Sequence, residues 1–186
     1  MVHQKLERAD NALLMPAERA DMLSQSLKFN WNDIWMTTFF GWEGIVKCVY
    51  DGSVKGLMQY AIQPEAEPED DNFVSIKQPG FLEVVYLEAV QDIEQRLVDP
   101  VGYWLMWYAV QTALQYCEGS KNNSVLGLLS KPESCGYYKN KVEMDYGSFT
   151  TNTPSGTTAT PFRFTYKTAQ SFCNRLQTTY GRPTKY

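Results

Sequence analysis

The side chains of this sequence that could take part in catalysis are mainly carboxylates and phenols. A serine or cysteine hydrolase needs an oriented base, usually histidine, beside its nucleophile, and the one histidine, His3, lies in a charged N-terminal segment. The four cysteines, at positions 48, 117, 135 and 173, form no CxxC pair, so neither zinc ligation nor a redox pair is indicated. The phosphate-binding patterns GxxxxGK(S/T) and GxGxxG are also missing. What remains is transfer chemistry that requires no metal and no histidine.

Consecutive elements in the middle of the chain would position such groups. Phe81 to Ala89 is nearly continuous in apolar character, which is typical of a central strand covered on both faces. A helix from Pro100 to about Glu118 and a strand from Ser124 to Leu129 follow it. Because two parallel strands require a crossover between them, this order predicts a right-handed βαβ unit. Pro132 to Lys141 is predicted to form a short helix beyond that unit.

Acyl transfer from a thioester to an amine is one reaction that this set of groups could catalyse. The protein must bind the pyrophosphate of the acyl carrier, remove a proton from the ammonium group and protonate the leaving thiolate. A carboxylate on the central strand and a phenol on a neighbouring helix can perform the last two steps.

Two motifs resemble those of the GNAT N-acetyltransferases. The segment SKPESCGYYKNKVEM, residues 130–144, is similar to the closing pattern S-x-P-x-A-x-x-F-Y-x-K-x-G-M of that family. EVVYL, from Glu83, is similar to the strand sequence E-I-V-F-C of members that carry a glutamate base. The resemblance implies that Tyr138 protonates the coenzyme A thiolate and that Glu83 is the general base. Glu143 stands where the family has a glycine, which predicts a differently built turn at that point.

The resemblance also implies a site for acetyl-CoA or another acyl-CoA, used as co-substrate. Its pyrophosphate would bind the free amides of Val101, Gly102 and Tyr103 at the start of the long helix, and the strand end at Ala89 and Val90 would contribute further contacts. The resemblance further implies that the pantetheine arm of acyl-CoA enters between the Phe81 and Ser124 strands, where these two strands diverge.

The phosphate loop departs from the family pattern Q/R-x-x-G-x-G/A. In the matching segment, residues 97–102, only Gly102 keeps its family identity. Pro100 supplies no amide donor, and Asp99 as N-cap would bond the helix amides itself and repel a phosphate. Two interpretations therefore stay open: a weakened cofactor site, or a self-capped helix in a catalytically inactive GNAT-fold binding or assembly module. Bulky side chains on that helix, which could fill the cavity or face a second subunit, favour the module: Tyr103, Trp104, Trp107 and Tyr108.

The amino-acid composition restricts the kinds of molecule that the protein is expected to bind. The 17 basic and 21 acidic side chains, with a pI near 5.1, give no net attraction to nucleic acid or to an anionic membrane. The N-terminus has no apolar signal-peptide core, and Val101 to Val110 is too short to cross a bilayer, so a cytoplasmic protein with buried, reduced thiols is expected. The expected acceptor is an amine of a small molecule or of a protein, and a homodimer is left open.

Local patterns define the rest of the chain. Two short amphipathic helices are predicted before Leu27, with Pro16 in the first turn of the second, and Asn30 or Asn32 can cap a helix that contains Trp31 and Trp35. Asp51-Gly52 is a strong hairpin signal, whereas the acidic segment 64–71 and the threonine-rich segment 150–161 are predicted loops. The last predicted elements are strands at 144–149 and 163–166 and a terminal helix capped by Thr168.

The predicted fold class is α/β of GNAT type, with a mixed, mostly antiparallel sheet flanked by helices and an N-terminal helical extension. At 186 residues and 21.3 kDa the chain fits one domain. This domain would comprise a helical N-terminal part (1–42), a core (43–148) and a C-terminal loop, strand and helix (149–186).

Overall fold

The computed structural model describes residues 12–23, 27–50, 52–64, 79–90, 101–117, 124–147, 150–152 and 156–181. Among these residues the strands are β1 Leu13–Pro16, β2 Glu43–Tyr50, β3 Ser53–Pro64, β4 Pro79–Ala89, β5 Ser124–Ser130, β6 Asp145–Tyr146, β7 Thr151–Asn152 and β8 Thr158–Thr165. The helices are α1 Trp31–Thr37, α2 Val101–Tyr116, a composite α3 and α4 Tyr166–Tyr180. Helix α3 consists of a 3-10 turn Pro132–Ser134, an α turn Cys135–Tyr137 and a π turn Tyr138–Val142, and a further 3-10 turn spans Arg19–Leu23.

The strands form a mixed, mostly antiparallel sheet in the order β1-β2-β3-β4-β5-β8-β6, and β7 pairs with β8. β4 and β5 run parallel, with Leu82, Glu83 and Val84 opposite Leu126, Gly127 and Leu128. Helix α2 connects these two strands along the chain, as the predicted βαβ unit requires. The fold class and the parallel pair are confirmed.

The chain divides into two compact units, and the boundaries between them fall within β3, β4, α2 and α4. The first unit comprises Met1–Tyr60, Val85–Tyr108 and Asn174–Tyr186, and the second comprises Ala61–Val84 and Ala109–Cys173.

In the first unit the strands are covered on both faces, as runs of consecutive buried residues at 45–48 and 55–59 show. On one face, Trp31 packs with Met22, Ile45 and Leu57. On the other, the start of α2 lies very close to β3, because a Cβ atom at Gly56 would be 2.7 Å from Val101 Cγ1. A glycine at this position is therefore required for the packing of α2 on the sheet.

In the second unit burial alternates along β8, whereas β5 has the neighbouring buried residues Val125 and Leu126. Along β8, Phe162 and Phe164 are buried while Arg163 between them is exposed. The register places Phe162 opposite Leu128, and Phe164 opposite Leu126, so these apolar residues share one face of the sheet. Phe164 contacts Phe172 of α4 with ring centroids 5.2 Å apart.

Several local predictions are confirmed. Gly52 has φ +68 in the two-residue connection between β2 and β3, as expected for the hairpin. Asn30 caps α1, since its side chain accepts a hydrogen bond from the Asp33 amide. The terminal helix ends before Gly181, which has φ +84.

Three local predictions are wrong. Leu13–Pro16 is a strand rather than part of a helix, because its backbone pairs with β2 from Leu13 opposite Val49 to Pro16 opposite Val46. The helix predicted after Pro16 is the single 3-10 turn Arg19–Leu23. The predicted loop 150–161 contains β7 and the first half of β8, which pairs with β5 as far as Ser130 opposite Thr160. For β1 and the first half of β8, pairing with a distant strand overrode a weak local pattern.

The N-cap of the terminal helix also differs from the prediction. Helix α4 begins at Tyr166, and the Thr165 hydroxyl accepts a hydrogen bond from the Thr168 amide at 3.2 Å. Thr168 returns the interaction, because its hydroxyl accepts from the Thr165 amide at 2.9 Å. The cap is therefore Thr165, and Thr168 is its reciprocal partner at the third helical position. The acidic segment 65–71 and residues 1–11 lie outside the described residues.

Candidate active site

Glu83 lies in the part of β4 that pairs with β5. Its Cα is opposite Gly127, and its side chain is half-buried. Gln63 of β3 donates a hydrogen bond from Nε2 to Glu83 Oε2 at 2.9 Å. The side-chain amide thus fixes the direction of the carboxylate while leaving the other oxygen available for a proton.

Tyr138 opens the π turn of α3 and is 8% exposed. Its ring packs against Phe162, with centroids 5.6 Å apart, and against Tyr137, with centroids 5.1 Å apart. Burial raises the pKa of the Tyr138 phenol to about 12, because the phenolate would lose its hydration. The phenol is therefore fully protonated near neutral pH.

The turn after Tyr138 explains how Glu143 replaces a glycine. Glu143 itself adopts the left-handed conformation, with φ 62, and it is the one described non-glycine residue with positive φ. The amides of Glu143 and Met144 both donate to the Tyr138 carbonyl. Glu143 thus adopts a backbone conformation that is usual for glycine at a helix end and uncommon for other residues.

Glu83 and the Tyr138 ring lie on opposite faces of the second unit's sheet. Val84, Leu128 and Phe162 share a face by register, and Tyr138 packs against Phe162. Glu83 alternates with Val84 and points to the other face. The paired residues of β4 and β5 end at Val84 and Leu128.

The residues expected to bind the cofactor lie at the end of β4 and the start of α2, all in the first unit. Ala89 is the last residue of β4, and the Val90 amide donates to the Lys55 carbonyl at 2.8 Å, so that amide is already used. Val101 is the first helical residue, with its side chain against Gly56; Gly102 is buried and Tyr103 half-buried. The loop segment 97–100, including Asp99 and Pro100, lies outside the described residues.

Sequence reasoning missed two groups near these positions. Gln63 orients Glu83, but its role depends on the pairing of two strands and has no local signal. Glu88, also on β4, accepts hydrogen bonds from the amides of Lys28 and Phe29 and from the Trp31 indole. Glu88 thereby connects the end of β4 to the segment that enters α1.

The aromatic residues of α2 pack within the first unit. The Trp104 ring lies 5.7 Å from that of Tyr180, and Tyr108 lies 6.3 Å from Tyr60 between ring centroids. Trp107 is 7% exposed, and its indole N–H finds no hydrogen-bond partner among the described residues. These side chains are mainly core residues.

The described part of the chain contains no cluster of three or more histidine, cysteine, aspartate or glutamate side chains placed to bind a metal. Burial raises the pKa of the Cys48 thiol to about 12, and those of Cys117 and Cys173 to about 11.

No described helix combines the length and the apolar character needed to span a bilayer.

No protein-family model and no curated protein sequence matches this chain. Solved structures do match it. Aminoglycoside acetyltransferase AAC(6')-Ib, in complex with coenzyme A and kanamycin, is 11% identical over 86% of this chain and 98% of its own, with a TM-score of 0.53. The ribosomal-protein-S18-alanine N-acetyltransferase of Escherichia coli is 9% identical over 83% and 94%, also with a TM-score of 0.53. A GNAT-family acetyltransferase of Bacillus cereus is 14% identical over 83% and 96%, with a TM-score of 0.50. The likeness extends over nearly the whole of each of these chains, and the protein therefore has the GNAT acetyltransferase fold.

Proposed function

We propose that this protein transfers an acyl group, most simply acetyl, from acyl-CoA to the nitrogen of an amine. The observation that carries the proposal is the placement of Glu83 and Tyr138 on either side of the β4–β5 pairing. Similar solved structures support it, because AAC(6')-Ib was solved with coenzyme A. The fold alone would not suffice, since one fold can serve many functions.

Glu83 is the proposed general base. It takes a proton from the acceptor ammonium, and the resulting amine attacks the thioester carbonyl, forming the C–N bond. The C–S bond then breaks, and the electron pair leaves with the coenzyme A sulfur. The bond to Gln63 keeps the carboxylate in one orientation, which reduces the reorganisation needed for proton transfer.

Tyr138 is the proposed donor to the leaving thiolate. Its high pKa makes complete proton transfer to an exposed thiolate unfavourable. A thiolate in the same apolar surroundings would also have a raised pKa, as burial raises that of the Cys173 thiol. The two pKa values then approach each other, so the phenol can first stabilise the thiolate by a hydrogen bond and afterwards protonate it.

The first-turn amides of α2 are the proposed donors to the pyrophosphate. The first residues of a helix have no acceptor within that helix, so the amides of Val101 and Gly102 are the proposed donors, with Tyr103 next to them in the same turn. Val101 turns its side chain to Gly56 and Gly102 has none, which fits a close approach of phosphate to the backbone. At the end of β4, the Val90 amide is already bonded, so we assign pantetheine contacts there to the carbonyl groups of Ala89 and Val90.

The proposed acceptor is an amine of a small molecule or of a protein. The alternative function is an inactive binding or assembly module. Trp104, Trp107 and Tyr108 make their contacts within the first unit, which argues against a free surface for a second subunit but is compatible with side chains that fill the cavity.

The test begins with binding. Native mass spectrometry and thermal shift with acetyl-CoA at millimolar concentration should show a bound cofactor and a raised melting temperature. The absence of both would refute the proposal.

Variants then test the assigned roles. Glu83→Gln keeps an oxygen that can accept from Gln63 but removes the base, so kcat should fall about 100- to 10,000-fold with unchanged acetyl-CoA binding. Tyr138→Phe should lower kcat about tenfold or more, whereas Tyr137→Phe, which removes the adjacent phenol, is the matched control. Full activity in Tyr138→Phe would favour the inactive-module alternative or another acid. Product formation should be followed by mass spectrometry, because a thiol reagent could also report the protein's own four cysteines.

A further inference from the structure

One face of the second unit's sheet carries a row of charged residues with a glycine at its centre. Glu83 of β4 is opposite Gly127 of β5, Gly127 is opposite Arg163 of β8, and Arg163 is opposite Asp145 of β6. Residues paired in this way project from the same face. The Cα atoms of Glu83 and Arg163, two strands apart, are thus separated by about 10 Å.

The two opposite charges nearest the glycine are kept apart. Gln63, on the strand at the far side of β4 from β5, binds the Glu83 carboxylate at 2.9 Å and draws it away from Arg163. Arg163 is exposed, and within the described residues it takes part in no ion pair. No described residue accepts a hydrogen bond from its five guanidinium N–H groups.

Within the described part of the chain, the sheet surface at Gly127 is uncrowded and has apolar borders. A Cβ atom added to Gly127 would meet only the Phe162 carbonyl at 3.6 Å and the Phe81 ring at 4.0 Å, which are ordinary contacts. Phe81 and Leu129 project from the same face two residues before Glu83 and two after Gly127, and they are 36% and 45% exposed. Among the described residues, the surface around Gly127 therefore leaves room for an aliphatic chain that reaches from Glu83 to Arg163.

We propose that the acceptor is a zwitterion, an amine that also carries a carboxylate or another anionic group, and that Arg163 binds this anion while the amine meets Glu83. The inference rests on the proposed function, since it defines the acceptor class at that site. Arg163 is the specificity-determining residue, because a guanidinium binds a carboxylate through two parallel N–H donors. Asp145 is opposite Arg163 on β6 without an ion pair between them, and its negative charge disfavours an anion bound there.

Binding is tested first, without turnover. Chemical-shift titration of the labelled protein compares 4-aminobutanoate and 6-aminohexanoate with butylamine and hexylamine, which have the same chain lengths without the carboxylate. The amino acids should bind about tenfold more tightly than the amines, as expected for one charge-assisted bidentate contact. Arg163→Gln should abolish this preference, and Asp145→Asn should strengthen it by removing that negative charge.

Gly127→Val provides a second, independent variant. It places a branched side chain in the space between Glu83 and Arg163 while leaving both charges, and valine is favourable in a strand, so the protein should fold. Binding of both amino acids should fall about tenfold, with an unchanged melting temperature. Equal binding of amino acids and amines by the wild type, or a preference that survives in Arg163→Gln, would overturn the inference.

Measurements of acetyl transfer show whether the zwitterion site or the proposed acyltransferase function has failed. Acetyl transfer without any preference for the amino acids would overturn the zwitterion site and leave the acyltransferase assignment intact. Arg163-dependent binding of the amino acids without any acetyl-CoA binding would do the reverse: the site would stand and the acyltransferase assignment would fall.

Discussion

The two compact units differ in how they cover their strands. In the first unit, consecutive residues 45–48 and 55–59 are buried, so side chains on both faces of β2 and β3 are packed. In the second unit, β8 alternates between buried Phe162 and Phe164 and exposed Arg163. A sheet can be stable with one face in contact with solvent, and only such a face is open to a ligand. A substitution on the exposed face of the second unit should therefore cost less stability than one in the buried strands of the first.

The largest expected effect is the difference in the free energy of unfolding between a buried leucine of the first unit and an exposed leucine of the second. Leu57→Ala in the first unit removes a side chain that is 0% exposed, within the cluster around Trp31, and should lower the free energy of unfolding by about 2–5 kcal/mol. Leu129→Ala on the open face of the second unit, at a residue 45% exposed, should change it by about 0.5 kcal/mol or less. Urea denaturation measures both. Equal losses would contradict the distinction between a covered and an open face.

An intermediate effect should separate two carboxylates on the same strand. Glu88→Gln in the first unit weakens bonds to two amides and the Trp31 indole, and should lower the free energy of unfolding by about 2 kcal/mol. Glu83→Gln in the second unit keeps an acceptor for Gln63 and should alter stability by about 0.5 kcal/mol or less, while it should abolish the proposed acyl transfer. If Glu83→Gln destabilised the protein as strongly as Glu88→Gln, Glu83 would be a structural rather than a catalytic residue.

The smallest effect concerns the covered face of the second unit and depends on pH. The Tyr138 phenol has a pKa near 10 in the unfolded chain and about 12 in the fold. Between these values the unfolded chain loses the proton and the folded protein retains it, so the free energy of unfolding falls as pH rises, by up to about 1.4 kcal/mol per pH unit. Tyr138→Phe should lack this contribution.

Urea titrations of both proteins at pH 8 and pH 11 measure the difference. The buried thiols of Cys48, Cys117 and Cys173 also titrate at alkaline pH, but they are present in both proteins and cancel in the comparison. Identical pH dependence in the two proteins would show that the phenol is more hydrated than its packing against Phe162 indicates.

The sequence predicted the central elements well because each has a strong local cause. Gly52 supplies the positive φ of the hairpin connection, and Asn30 caps α1. The sixteen uncharged residues from Val101 form a segment too long for a typical strand, which favours a helix. The strand β1 and the first half of β8 escaped prediction because they are short and polar or contain proline. Their structure comes from pairing with β2 and β5 rather than from any local preference.

The sequence by itself therefore determined which groups are available for chemistry: carboxylates and phenols, with one histidine and no spacing typical of a metal site. Tertiary structure alone decided their arrangement. Gln63 and Glu83 are twenty positions apart, and Glu83 and Arg163 eighty, yet strand register brings them into one row. Register arises from hydrogen bonding and packing between distant segments, and a shift by one residue would move every side chain to the opposite face.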